Sequence, residues 1–504
     1  MELRDREVEL KLAIHSAGAK ALADREVPGT RRRIVESIYF DTADCRLKAA
    51  GYSLRLRRDR GQWVQTVKSN GRSGPQRYEH ERRVRTGALD LSVLGQTPIA
   101  RIEDCADRLK PVFATRVRRR SLLRDCGASK IEFSLDEGEI VVGDRTAPIL
   151  ELELELKSGR AADLFAEAQR LGRRDALTLA FASKSDRGYA LADGTLNEPL
   201  KYDEPAMDDD TPVGAVFQAI GRACLRQVAA NADLVVSGPR LEAVHQARVA
   251  LRRLRVALLV FKPVVADRAR ATIMAQLKWF TGELEDARNL DVLIFEGFRP
   301  AAGTSADTAP MAALGRILLA AQEKSYARTA AAVESPRFRA LLVETASWIE
   351  AGDWATAPLT APLAADRAGL FAPEALDKRR RAAAKRARAL DWNDPIARHR
   401  YRIRIKELRY ASEFFAGLVG GGRRRRYDEF TSALEDLQDG LGRLNDLWVG
   451  EKTTLQALNL APANTDRADY AGGIVVGRAM MRAANLTKRS RRATRAFLKT
   501  KPWW

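Results

Sequence analysis

The chain reads as an α+β protein in two parts: eight antiparallel strands, then an all-α region made of a duplicated helical unit. Three observations carry that reading. Within the first 190 residues five stretches place charges at every second position, the side-chain period of a strand. Beyond about residue 211 the composition turns Ala-, Leu- and Arg-rich with helical periodicity. Within that second part, the pattern at His245–Arg255 returns at His399–Arg409.

The elements follow in order. Strand 5–12 places Glu7, Glu9 and Lys11 on one face, whereas a helix would scatter them around its circumference. Strands at 34–40, 52–58 and 62–68 come next, the second aligning Arg55 with Arg57. The run Ser69-Asn70-Gly71-Arg72-Ser73-Gly74-Pro75 is a turn into strand 76–85, where Glu79 aligns with Glu81. Strand 115–123 aligns Arg116 with Arg118; 130–135 follows, and 149–157 aligns Glu151 with Glu153, Glu155 extending the alternation. Helical patches lie near 16–24 and 161–172. Carboxylates and cations are thereby sorted onto separate strands, where a face merely wetted by solvent would mix in Thr, Ser and Gln. A closed or strongly curved barrel accounts for the sorting, because alternate residues then line its lumen. Such a lining is tolerable only when its charges are compensated. Carboxylates suit Mg²⁺ or Mn²⁺, and guanidinium and ammonium groups suit phosphate oxygens.

Residues 1–197 form the strand-rich domain, and the acidic, Pro-containing run 198–211 reads as a linker. The helical domain, 212–504, divides into repeats at about 212–300 and 374–504, separated by the loop-rich Ala301–Pro310 and Ala351–Pro373. On a helix His245, Arg248, Arg252 and Arg255 form one stripe about 80° wide, as do His399, Arg402, Lys406 and Arg409. Phe261 corresponds to Phe415, and Leu284–Asp291 to Leu441–Asp446. Core packing alone would not retain the polar offsets. Like charges at this spacing repel, and a bound polyanion relieves the repulsion. Facing the halves joins the stripes into one basic groove, to which histidine adds a pH-dependent donor.

The formal charge of +20 divides as +6 over residues 1–200 and +14 over 201–504, which suits a polyanionic partner. Four cysteines without CxxC spacing argue against a zinc site or disulfide scaffold and fit a reducing compartment. The first residues lack the apolar core of a secretory signal, and Leu254–Val265 is too short and too closely flanked by Arg to span a bilayer. A cytoplasmic protein without membrane or sequence-specific nucleic-acid partners is expected. No GxxxxGK[ST], GxSxG or HExxH motif is present, and His15 and His80 read as incidental.

The motif Glu7-Val8-Glu9-Leu10-Lys11 resembles the ExExK signature of CYTH domains, the triphosphate tunnel metalloenzymes. Further landmarks match in order: Ile38–Thr42, Ser53–Arg57, Trp63–Lys68, Thr115–Arg118, Ser134–Asp136, Leu150–Glu153 and Ser183-Lys184. The resemblance implies an eight-stranded antiparallel tunnel acting on triphosphates. It implies divalent-metal ligands at Glu7, Glu9, Asp136, Glu151 and Glu153. Phosphate-binding cations follow at Lys11, Arg55, Arg57, Lys68, Arg116, Arg118 and Lys184, with Lys11 and Tyr39 as a water-activating pair. The duplicated stripes resemble the CHAD domain, which is found fused to CYTH domains and binds inorganic polyphosphate. Inorganic tripolyphosphate is then the expected substrate and long-chain polyphosphate the expected second partner. Cyclisation of ATP, cleavage of an organic triphosphate such as thiamine triphosphate, and a non-catalytic polyphosphate anchor are the alternatives.

Overall fold

A computed structural model describes residues 8–15, 17–28, 32–69, 78–102, 105–174, 177–305, 308–460 and 467–504; Glu7 lies outside them. The chain divides into two compact units. Unit 1 comprises Met1–Ala206, Gly221–Ala230 and Glu334–Asp353, and unit 2 comprises Met207–Ile220, Asn231–Val333 and Trp354–Trp504.

Unit 1 is organised by one antiparallel sheet. Its strands are β1 (Val8–Ile14), β2 (Arg33–Asp41), β3 (Tyr52–Asp59), β4 (Gln62–Ser69), β5 (Glu79–Val84), β6 (Lys110–Cys126), β7 (Ser129–Val142), β8 (Arg145–Ser158) and β9 (Leu177–Ala180). They run in the order β5-β4-β3-β2-β6-β7-β8-β1-β9. The sheet therefore has nine strands where the sequence predicts eight. The ninth, Leu-Thr-Leu-Ala, is too short to display a period of its own. Among the described residues the hydrogen-bonded order is open at β5 and β9 rather than a closed ring.

Alternation gives this sheet two different faces. On one, Leu12, Phe133, Leu135, Leu152 and Leu154 are fully buried. The helix Ala161–Arg174 packs across β1, β8 and β9 and contributes Leu164, Phe165, Ala168 and Leu171 to the same core. Burying each large side chain contributes about 1.5–3 kcal/mol, so this apolar face fixes which residues must turn the other way. The opposite face carries the charges. Part of it is covered by the helix Lys184–Ala192, whose Tyr189 joins Tyr39, Phe113, Ile140 and Ile149 in a second core. Within unit 1 the helix Pro336–Ala351 packs on the helix Ala161–Arg174 and on β9, burying Phe338, Leu341 and Leu342. Two helical stretches beyond residue 211 thus count with the strands.

Unit 2 is helical. The helices Leu241–Val260 and Pro395–Phe414, which carry the repeated stripes, pack together. Phe261 and Phe415 meet at a ring separation of 5.8 Å, and Phe371 stacks on Phe261 at 5.4 Å. The long helices Arg424–Asn459 and Ala468–Lys499 form an extensive pair. At the C-terminus Trp503 is buried against Tyr427, and the Trp504 indole donates to Asp377 at 3.0 Å. No helix among the described residues is long and apolar enough to cross a membrane.

Gly188 tests how firmly the covering helix is seated. In a helix interior Gly→Ala normally gains about 1 kcal/mol, but a Cβ here would lie 2.2 Å from the Phe113 ring. Gly188→Ala is expected to lose about 1–3 kcal/mol of unfolding free energy, seen as a lower denaturation midpoint. A raised midpoint would mean that the Phe113 ring yields freely.

Candidate functional site

The polar face of unit 1 is assembled by register. On β8, Glu151 pairs with Asp136 of β7, while Glu153 lies between Ser134 of β7 and Lys11 of β1. Carboxylate oxygens of Asp136, Glu151 and Glu153 come within 4.8 Å of one another, and all three residues are buried. Three like charges so close require nearby cations. Lys184 reaches all of them, at 2.6 Å from Asp136 and 2.8 Å from Glu153, with Glu151 also bonded. Its position is fixed by helix capping: the Ser183 side chain accepts from the Asp186 backbone and the Asp186 carboxylate accepts from that of Ser183. Arg119 adds a fork, donating to Asp136 at 2.6 and 2.5 Å and to Glu153 at 2.5 Å. Lys11 bridges Glu9 at 2.9 Å and Glu153 at 3.9 Å.

These contacts set the protonation states. Burial alone would raise the Glu153 carboxyl, but Lys184, Arg119 and Lys11 hold it well below the usual carboxylate range. Burial opposes the charge on Lys184, yet Glu153, Asp136 and Glu151 raise it well above the ordinary lysine value. Lys11 is raised too, against burial, by Glu9 and Glu153.

The basic part of the face lies on β3 and β4. Arg57 pairs with Glu81 at 3.3 Å, Arg55 lies 3.7 Å from the same carboxylate, and Lys68 pairs with Glu79 at 2.7 Å. Glu79 and Glu81 thus hold the cations in place. Burial lowers Arg57, and Arg55 and Arg119 lower it further; the latter effect ties the basic strands to the acidic ones. Tyr39 stacks on Phe113 at 4.4 Å and lies opposite Arg55 in the β2–β3 ladder.

Arg116 and Arg118 require correction. Both are exposed on the other face; Arg116 lies 4.0 Å from Glu36, and Arg118 opposes Glu137 in the ladder. The pleat that sends Thr115, Val117 and Arg119 inward sends these two outward. Arg119, absent from the expected set, occupies the site instead. The run Arg118-Arg119-Arg120 supplies arginine to both faces, so its composition does not reveal which one enters.

In unit 2 the two stripes meet. Arg248 is pushed down to about 10 by burial, then by Arg252, with Arg288 and Arg402 adding to the effect. Arg402 is likewise pushed to about 10 by burial and Arg252. Lys406 falls well below the lysine range through burial and repulsion from Arg252 and Arg402. His245 is pushed down to about 4, by burial and then Arg288, so it is neutral at physiological pH. His399 bonds Asn445 at 2.6 Å, and Asp446 partly offsets Lys406. The Leu441–Asp446 segment therefore lines the same place as the stripe. Arg255 is lowered by burial and Arg252, while Arg409 is paired with Glu413 at 2.7 Å.

The CYTH domain family matches residues 5–189 and the CHAD domain family matches residues 219–454. An inorganic triphosphatase of Haemophilus influenzae is 32% identical over 195 residues, covering 37% of this chain and 54% of that protein. The match thus spans about half the length of that relative. Among solved structures, the CHAD domain from the plant Ricinus communis is 29% identical with a TM-score of 0.51, covering 59% of this chain and 96% of that one.

The depressed Glu153 gives a signed pH dependence. Its contribution to stability is complete above the unfolded-state carboxyl value, about 4.3, and is lost as pH falls through the lower folded value. Chemical denaturation should therefore show the gap between wild type and Glu153→Gln narrowing below about pH 4. A gap independent of pH would remove the assignment.

Proposed function

We propose that this chain, a CYTH domain joined to a CHAD domain, hydrolyses inorganic tripolyphosphate to diphosphate and phosphate with Mg²⁺ or Mn²⁺. Its helical half binds long-chain polyphosphate. The observation that carries the first part is the buried Asp136–Glu151–Glu153 cluster on the same sheet face as Arg55, Arg57, Lys68 and Arg119. The donor set fits a hard divalent cation: every candidate ligand is a carboxylate oxygen, and three of them converge. Asp136, Glu151 and Glu153, with Glu9 beside them, would hold it; a bound ion lowers the pKa of water and offsets charge on phosphate oxygens.

The chain's own groups do the rest. Phosphoryl transfer asks for positioning and for stabilisation of charge on the transferred group. Arg55, Arg57, Lys68, Arg119 and Lys184 supply N–H donors to phosphate oxygens. Lys11, held protonated by Glu9 and Glu153, acts through its charge and not as a base that removes a proton. Tyr39 positions Arg55. In the helical half Arg248, Arg252, Arg402 and Lys406 repel one another and have few acidic neighbours, an arrangement a polyphosphate chain relieves.

Phosphate release from tripolyphosphate with Mg²⁺ or Mn²⁺ tests the enzyme. Glu9→Ala and Arg119→Ala should each lower the rate by about 100-fold or more, while Arg118→Ala stays within about twofold of wild type. Equal rates for wild type and Glu9→Ala would end this reading. For the groove, Arg248→Glu combined with Arg402→Glu should abolish retention on immobilised long-chain polyphosphate and leave tripolyphosphate turnover in place. Unchanged retention would count against it.

A further inference from the structure

The basic part of the polar face continues past the residues assigned to tripolyphosphate. A cavity of about 560 Å³ is lined by Arg33, Arg57, Asp59, Arg60, Glu81 and Arg83 among others. Arginines predominate in it: Arg82 makes five, against the two carboxylates. Three polar atoms in its wall, Arg33 Nε, Arg57 Nε and Asp59 Oδ1, are buried without a hydrogen-bond partner among the described residues. Buried polar atoms are nearly always satisfied, so unmet guanidinium donors mark a place where an acceptor belongs. Arg33 meets Asp59 at 3.2 Å and donates to Ser121 at 3.4 Å, which leaves its Nε uncommitted.

The ladder places this cavity in line with the triphosphate cations. Lys68 pairs with Ser53, Arg55 with Thr66, Arg57 with Val64, and Asp59 with Gln62. At about 3.3 Å per residue, the step from the Lys68 rung to the Asp59 rung is about 20 Å, and cations recur along it. The β3–β4 turn ends the row. Arg60 (φ 53°) and Gly61 (φ 79°) have the two positive φ values of a type I′ turn. Asn is the favoured residue where Arg60 stands; the arginine found there runs against local preference and lines the cavity.

We propose that this cavity is a further phosphate subsite, taking the phosphoryl groups of a linear polyphosphate beyond the third, so that the face accepts chains of four or more phosphates. The proposal rests on the reading of the face as a triphosphate site. Asp59 sets a limit, since its carboxylate opposes the incoming anion while orienting Arg33.

Calorimetric titration of the full chain with tripolyphosphate and tetrapolyphosphate, in chelator to suppress turnover, tests it. Wild type should bind tetrapolyphosphate at least about fivefold more tightly than tripolyphosphate. Arg60→Asn, which suits the turn, should remove that preference and leave tripolyphosphate affinity within about twofold. Equal affinities in wild type, or an undiminished preference in Arg60→Asn, would overturn the subsite. Phosphate release from tripolyphosphate by the same wild-type and Arg60→Asn proteins, freed of chelator and supplied with Mg²⁺ or Mn²⁺, separates the two ideas. No release with the preference intact sinks the enzyme and leaves the subsite, whereas release without preference sinks the subsite alone.

Discussion

Three buried carboxylates within 4.8 Å are the constraint around which unit 1 is arranged. Negative charges this close and this far from water are stable only with cations of good geometry or a bound ion. Lys184 and Arg119 supply that compensation, and each depends on remote structure. Lys184 is aimed by a capping box, and its helix is seated by Gly188 against Phe113. Arg119 is aimed by the β6–β7 register that sets it opposite Asp136. The apolar face of the same strands holds the pleat in phase, because a slip of one residue would bring Leu152 and Leu154 inward and turn the acids out.

The helical half applies the same electrostatics with the sign reversed and the compensation incomplete. Arg252 presses on Arg402 and Lys406, while Asp446, Tyr410 and Glu285 push back on the stripe only in part. Where the acids of unit 1 meet a lysine and an arginine, the cations here mainly meet one another. An unbalanced buried charge cluster is costly, and the lowered Arg248, Arg402 and Lys406 register that cost. The CYTH and CHAD parts thus carry buried charge clusters of opposite sign, the first compensated from within and the second less so.

The predicted strands and the duplicated stripes were legible because they have short periods. Glu-Leu-Glu-Leu-Glu at 151–155 cannot be amphipathic as a helix, and His245, Arg248, Arg252 and Arg255 cannot share a face as a strand. Arg119 was missed for the same physical reason that the strand was found. Alternation sorts residues into two sets without saying which set turns inward, and three successive arginines populate both. The four-residue β9 has too few positions to show alternation, and the place of helix Pro336–Ala351 in unit 1 follows from packing on residues about 170 positions earlier.

By itself the amino-acid order determined the local periods, the sorting of acids and bases onto separate strands, and the duplication of a basic helical stripe. Those properties depend on neighbours within one or two turns of chain. Tertiary structure alone decided that Lys184 would close on Glu151 and Glu153, and that Arg116 and Arg118 would face outward. Each of these outcomes turns on the phase of a ladder or the seating of a helix. Such phase is set by burying apolar side chains from distant segments together, a free energy that no short stretch of sequence contains.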